Sequence, residues 1–88
     1  MVKRAKLDII KDILNLIKDN PNIKPTPLLR KSKISSSRFK EYYNELINRD
    51  LIKEISNNDD KSVILTDKGY KFLEKYKVII DFIDEFEL

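Results

Sequence analysis

The sequence predicts a mainly α domain with a small β-hairpin, an α+β fold, and three observations predict it. Apolar residues recur at helical spacing in residues 6–19, in residues 36–48, and again from residue 67 nearly to the end of the chain. Between the last two of these stretches lie two short β-rich runs, residues 51–56 and 62–66, separated by the polar tip Asn57-Asn58-Asp59-Asp60-Lys61. The length of 88 residues allows one small core with little margin, so a partner chain would help.

The first helix is expected over residues 6–19. Leu7, Ile10, Ile13, Leu14 and Ile17 form its apolar stripe, which Ile9 and Leu16 widen. Asn20-Pro21-Asn22 should end it, because the residue before a proline is pushed out of the α region and asparagine tolerates turn geometry. Ile23 is placed to form a short edge strand. Thr26-Pro27 then offers an N-cap followed by a proline at the first helical position, so a short basic second helix is expected to about Lys31, with Leu28 and Leu29 inward. Ser32-Lys33-Ile34 makes a tight connection in which Ile34 fills the angle between two helices.

Ser35 can cap the third helix, which carries Phe39, Tyr43 and Leu46 on its inner stripe. Arg49-Asp50 should end it, with Asp50 in the left-handed position more often held by glycine. After the hairpin, Thr66 or Asp67 caps a last helix about 30 Å long at roughly 1.5 Å per residue.

Composition narrows the chemistry. The chain has neither cysteine nor histidine, which removes disulfides, thiolate chemistry, cysteine-based metal sites and the commonest neutral-pH base. An enzyme is not expected, nor a cofactor, nor a metal. No apolar run reaches the length of a membrane span and no signal-peptide core is evident, so the expectation is a cytoplasmic protein, associated with the nucleoid if it binds DNA. The net charge of +3 conceals an uneven layout. Residues 21–40 contain Lys24, Arg30, Lys31, Lys33, Arg38 and Lys40 and no acid, whereas residues 81–88 contain Asp81, Asp84, Glu85 and Glu87 and no base.

The acid-free stretch coincides with the expected helix-turn-helix, which makes the third helix a candidate recognition helix for the major groove of duplex DNA. Arg30, Lys31, Lys33, Ser36, Ser37, Arg38, Lys40 and Asn44 are the candidate contacts, with Lys53 and Lys61 as peripheral contacts from the hairpin. Asn44 can present a paired donor and acceptor to adenine, Arg38 and Lys40 can reach guanine, and the remaining bases suit phosphates. Each signal also has a plainer reading. A basic run is most often a solvated face, one serine is explained by capping alone, Tyr42 and Tyr43 at this spacing belong in a core more often than against bases, and Asp59-Asp60 lacks the ligand spacing of a calcium loop.

Three helices, a hairpin and a further helix, in that order, give a winged helix-turn-helix. Over about residues 6–77 the sequence resembles archaeal winged helix-turn-helix DNA-binding domains, in which the recognition helix ends in a GLI-like turn and the wing leads into LTxKGxxFL. The corresponding residues here are Asp50-Leu51-Ile52 and Leu65-Thr66-Asp67-Lys68-Gly69-Tyr70-Lys71-Phe72-Leu73. The sequence departs from that pattern at Asp50, which stands for the usual glycine, and at the wing tip, which is acidic where wings that touch DNA are commonly basic.

The resemblance extends to small chromatin proteins that dimerise through antiparallel C-terminal helices, and it implies the same arrangement here. Residues 1–67 would form the DNA-binding domain and residues 68–88 the dimerisation helix. Phe72, Tyr76, Ile79, Ile83 and Phe86 form a heptad-like seam, which Leu73 and Ile80 broaden. Lysines in the first half of that helix and acids in the second favour antiparallel pairing. The alternative is that the helix folds back on the first helix of its own chain, near Lys3, Arg4 and Lys6. The functional expectation is a transcriptional regulator that binds duplex DNA as a homodimer. An architectural chromatin protein of low sequence specificity, or a protein-interaction module whose basic face meets an acidic partner, are the alternatives.

Overall fold

The computed structural model describes residues 4–87, with side chains from residue 6 onward. Six elements follow one another as α1 (Arg4–Asp19), α2 (Pro25–Ser32), α3 (Ser36–Asn48), β1 (Ile52–Asn57), β2 (Asp60–Leu65) and α4 (Asp67–Glu85). The strands pair antiparallel from Ile52 opposite Leu65 to Asn57 opposite Asp60. The wing tip is thus only two residues, Asn58 and Asp59, shorter than the polar run suggested. Asn58 takes the left-handed φ of 57° that so tight a return needs. Ile23 adds a single bridge to Val63, whose N–H donates to the Ile23 carbonyl at 2.8 Å.

Five elements build the core and α4 lies over it. The most deeply buried large side chains are Ile13 and Leu14 of α1, Leu28 of α2, Leu46 of α3, Ile52 of β1 and Val63 of β2. Each comes from the apolar stripe or alternation that periodicity marked. Ile34, between α2 and α3, packs against this cluster, as do Tyr42 and Tyr43.

Local chemistry sets the helix ends, with one departure from expectation. Helix α2 starts at Pro25 rather than after Thr26. Its N-cap is Lys24, in an extended conformation and without a side-chain cap. Pro25 and Pro27 both fall in the first turn, where their missing N–H groups break no intrahelical bond, so the earlier proline sets the start and Thr26 becomes an exposed helical residue. Ser35 caps α3, accepting from the Arg38 N–H at 3.3 Å. At the other end Asp50 adopts φ 62°, while the Asp50 and Leu51 N–H groups donate to the carbonyls of Ile47 and Leu46. These are the two paired bonds of a Schellman motif, completed without glycine.

Thr66 caps α4 by accepting from the Gly69 N–H at 3.1 Å, and its own hydroxyl donates to the Asp50 carbonyl at 2.6 Å. One residue thereby starts the last helix and ties it to the end of α3.

The seam expected for dimerisation is largely turned inward. Phe72 and Leu73 pack against the core, Ile83 is 5% exposed, and Ile80 lines a groove of about 510 Å³ between α1 and α4 together with Lys11, Asn15 and Lys18. The Tyr76 hydroxyl donates to the Asp8 carboxylate, and its ring lies 5.8 Å from the Lys11 ammonium. Of the seven interface residues expected, only Ile79 and Phe86 are exposed. The physical reason is that α4 is apolar on two adjoining flanks, and the flank of Phe72, Leu73, Tyr76 and Ile80 is the one that covers the stripe of α1. The flank left exposed carries Val78, Ile79, Phe82 and Phe86, with the Phe82 and Phe86 rings 4.8 Å apart. Val78 and Phe82 belong to this stripe, although neither lies on the heptad-like seam of the sequence. Folding back on α1 is therefore observed for the inner flank; Lys3 and the Arg4 side chain lie outside the described residues.

Candidate nucleic-acid interface

The helix-turn-helix is closed by a residue under backbone constraint. Lys33, directly after α2, has φ 59°, a conformation that costs a non-glycine residue about 1 kcal/mol. The chain turns at this point so that α3 leaves at an angle to α2, and the Ser32 hydroxyl donates to the Leu29 carbonyl at 2.6 Å to finish the preceding helix. The Lys33 side chain stands exposed at the corner. Sequence spacing located this turn but not its left-handed geometry, because lysine is not a usual turn residue.

All ten residues expected to meet DNA are exposed: Arg30 and Lys31 on α2, Lys33 in the turn, Ser36, Ser37, Arg38, Lys40 and Asn44 on α3, Lys53 on β1 and Lys61 on β2. They do not form one uniform surface. Five bases of the domain, Lys61 among them, are held by carboxylates: Lys6 and Arg49 by Glu45, Lys11 by Asp12, Lys24 by Asp60 and Lys61 by Glu54. Arg30, Lys31, Lys33, Arg38 and Lys40 have no ion pair among the described residues. The helix-turn-helix thus carries five cations without a carboxylate partner and no acid between Arg30 and Lys40, while Lys18, Lys53 and the α4 lysines Lys68, Lys71, Lys75 and Lys77 are likewise unpaired among the described residues. Lys61, paired at 3.7 Å, would have to leave Glu54 to meet a phosphate.

The outward face of α3 follows from its burial pattern. Phe39 and Leu46 are buried and Tyr42, Tyr43 and Ile47 half-buried, which leaves Ser37, Glu41, Asn44 and Asn48 along the opposite side at steps of four, three and four. Asn48 is the member of this line that sequence reasoning missed. Its spacing of four from Asn44 and seven from Glu41 places it on their face, in the last turn of the helix. Glu45 lies to one side, where Lys6 at 3.0 Å and Arg49 at 3.3 Å hold its carboxyl below the usual carboxylate range. The Glu41 carboxylate makes no hydrogen bond or ion pair among the described residues.

Among the described residues one side-chain hydrogen bond ties the wing to α3. The Tyr43 hydroxyl donates to Glu54 at 2.6 Å, and burial together with that carboxylate pushes the phenol well above its ordinary pKa. The wing's far end is held by Lys24, whose ammonium lies 3.2 Å from the Asp60 carboxylate. With Asp59 and Asp60 at the tip, the hairpin presents acid where a deep minor-groove contact would need base. Among the described residues no group of acids is arranged to hold a metal ion, and no helix is long and apolar enough to cross a membrane.

A protein-family model described as winged helix-turn-helix matches residues 3–84. Among curated proteins, no sequence matches the chain. Among solved structures the chain is similar to F-93 of SSV1, at 24% identity over 89% of this chain and 91% of that one, with a TM-score of 0.68. It is similar to Sso10a-2, a DNA-binding protein from Sulfolobus solfataricus, at 20% identity over 92% and 83% of the two chains and a TM-score of 0.76. It is also similar to the PcaV transcriptional regulator from Streptomyces coelicolor, at 20% identity and a TM-score of 0.74, where 90% of this chain covers 58% of that one. At these identities the likeness is one of fold. The order of elements, the bridge from Ile23 to the hairpin and the match over nearly the whole chain agree: the chain belongs to the winged helix-turn-helix family.

Proposed function

We propose that this protein is a transcriptional regulator that binds duplex DNA, with α3 in the major groove and α2 and the turn on the flanking phosphates. The observation that carries the reading is the cluster of unpaired cations, Arg30, Lys31, Lys33, Arg38 and Lys40, on a surface that also offers the polar line Ser37, Glu41, Asn44 and Asn48. Bases free of carboxylates can neutralise phosphates without first breaking an ion pair, and the polar line can address base edges. A winged helix serving only as a protein-interaction module would have no need of this division between cations and neutral readers. Sso10a-2 and PcaV, a DNA-binding protein and a transcriptional regulator, share the fold and support the reading. The wing has a minor part, since Lys61 is occupied by Glu54 and the tip is acidic, while Lys53 is free to touch the backbone.

The same reading makes the protein a homodimer. The exposed apolar stripe Val78, Ile79, Phe82 and Phe86 lies in the acidic half of α4, while Lys68, Lys71, Lys75 and Lys77 occupy the other half. A second copy running antiparallel would cover the rings and set each acidic end towards the partner's lysines. Two recognition helices would then face DNA together, in the nucleoid.

The test is a gel shift on genomic fragments with a salt titration. Affinity should fall steeply with salt, as expected when several phosphates are neutralised, and heparin should compete. Arg38→Glu with Lys40→Glu should abolish the shift with the circular dichroism unchanged. Retained binding by that variant would show that α3 is not the contact.

A further inference from the structure

Glu41 stands in the middle of the surface that the DNA-binding reading assigns to base edges. It is exposed, with Ser37 one turn before it and Asn44 and Asn48 after it. Arg38 and Lys40 are close in sequence, yet Glu41 is bound to neither, nor to any other described residue. Its neighbour Glu45 is different: Lys6 and Arg49 cover that carboxylate and Lys6 belongs to another helix, so its charge is neutralised by the fold. Helix α3 therefore carries two acids, one neutralised and one left free, and the free one points where DNA would lie.

A free carboxylate there is a liability against DNA of arbitrary sequence, since phosphates repel it and most base edges in the major groove offer it an acceptor. Guanine presents O6 and N7, and thymine presents O4. Adenine offers an amino donor beside an N7 acceptor. Cytosine alone presents the N4 amino group with no acceptor on the same edge. The carboxylate is thus penalised on nearly every base and satisfied on one.

We propose that Glu41 is a specificity-determining residue, accepting a hydrogen bond from the N4 amino group of a cytosine in the major groove and weakening attachment to sites without it. This rests on the DNA-binding reading and gives it a direction. The flanking cations provide affinity that does not depend on sequence, and Glu41 withdraws part of that affinity wherever the cytosine is absent. Asn44 and Asn48, one and two turns further on, address neighbouring base pairs, where adenine is the base that matches an amide's paired donor and acceptor.

The experiment selects binding sites from random duplexes with the full chain and compares wild type, Glu41→Ala and Glu41→Gln by titration on the selected site, on the same site with one C·G pair replaced by T·A, and on random DNA. Wild type should enrich a fixed cytosine and lose about tenfold or more in affinity when that pair is replaced. For Glu41→Ala the replacement should cost little, while its binding to random DNA should strengthen several-fold. Glu41→Gln, which keeps size and removes charge, should likewise strengthen random binding. Selection that enriches no cytosine, or a Glu41→Ala variant that keeps the wild-type preference, would overturn the assignment while leaving DNA binding intact. Absence of binding to any duplex at low salt would overturn the DNA-binding reading itself, and this inference with it.

Discussion

Gly69 lies so close to Leu51 that a β-carbon at this position would come within 2.3 Å of the Leu51 carbonyl oxygen. That oxygen also accepts the Thr66 N–H at 3.2 Å. The first turn of α4 therefore rests on the backbone at the junction of α3 and β1, and the glycine of the LTDKG stretch is there to permit the approach rather than to supply an unusual φ.

From this contact, Gly69→Ala should destabilise the fold. In an open helix alanine would be better than glycine by about 1 kcal/mol. Here backbone must move, and overpacking of this kind costs roughly 1–3 kcal/mol. Thermal or urea unfolding should show a net loss; a gain in stability would mean that α4 can shift without disturbing Leu51.

Lys33→Gly separates binding from folding. Glycine relieves the left-handed φ of 59°, so stability should stay level or rise by up to about 1 kcal/mol. The substitution also removes a free cation at the corner of the helix-turn-helix. Affinity for DNA should fall on specific and random sequences alike, with the slope of log affinity against log salt reduced by about one.

Tyr43→Phe removes the hydrogen bond from α3 to the wing and should cost roughly 1–2 kcal/mol at neutral pH. Burial and Glu54 raise the Tyr43 pKa in the folded state, so the neutral phenol is favoured by folding. The stability this provides is fully present below the unfolded phenol's pKa of about 10 and is lost as pH rises beyond it. Unfolding free energies measured from pH 8 to 12 should decline for wild type, and less steeply for Tyr43→Phe.

Phe82→Asp should yield a monomer in sedimentation at concentrations where wild type is dimeric, with the secondary structure preserved, because Phe82 is 54% exposed within one chain. Ile83→Asp, at a position already buried within the chain, should instead lower stability directly. A wild-type protein that is monomeric at high micromolar concentration would remove the case for the stripe as an interface.

What the sequence determined by itself is local. The caps at Ser35 and Thr66, the left-handed Asp50, the break at Asn20-Pro21 and the hairpin with its polar tip are each the work of a few adjacent residues acting on their own backbone. Helical periodicity assigned the inner stripes of α1 and α3 because each of those helices is apolar on one side only. The third helix's outward line could also be counted off, and missed Asn48 only by stopping a turn early. Helix α4 could not be decided in this way. Its apolar residues occupy two adjoining flanks, and spacing alone cannot say which of them covers α1 and which faces solvent. Tertiary packing settled that by laying Phe72, Leu73, Tyr76 and Ile80 along α1 and leaving Val78, Phe82 and Phe86 exposed. Only the tertiary structure, likewise, brought Lys6 from α1 to Glu45 and left Glu41 uncovered: the charge of a side chain is written in the sequence, whereas its neutralisation depends on which distant helix passes within reach.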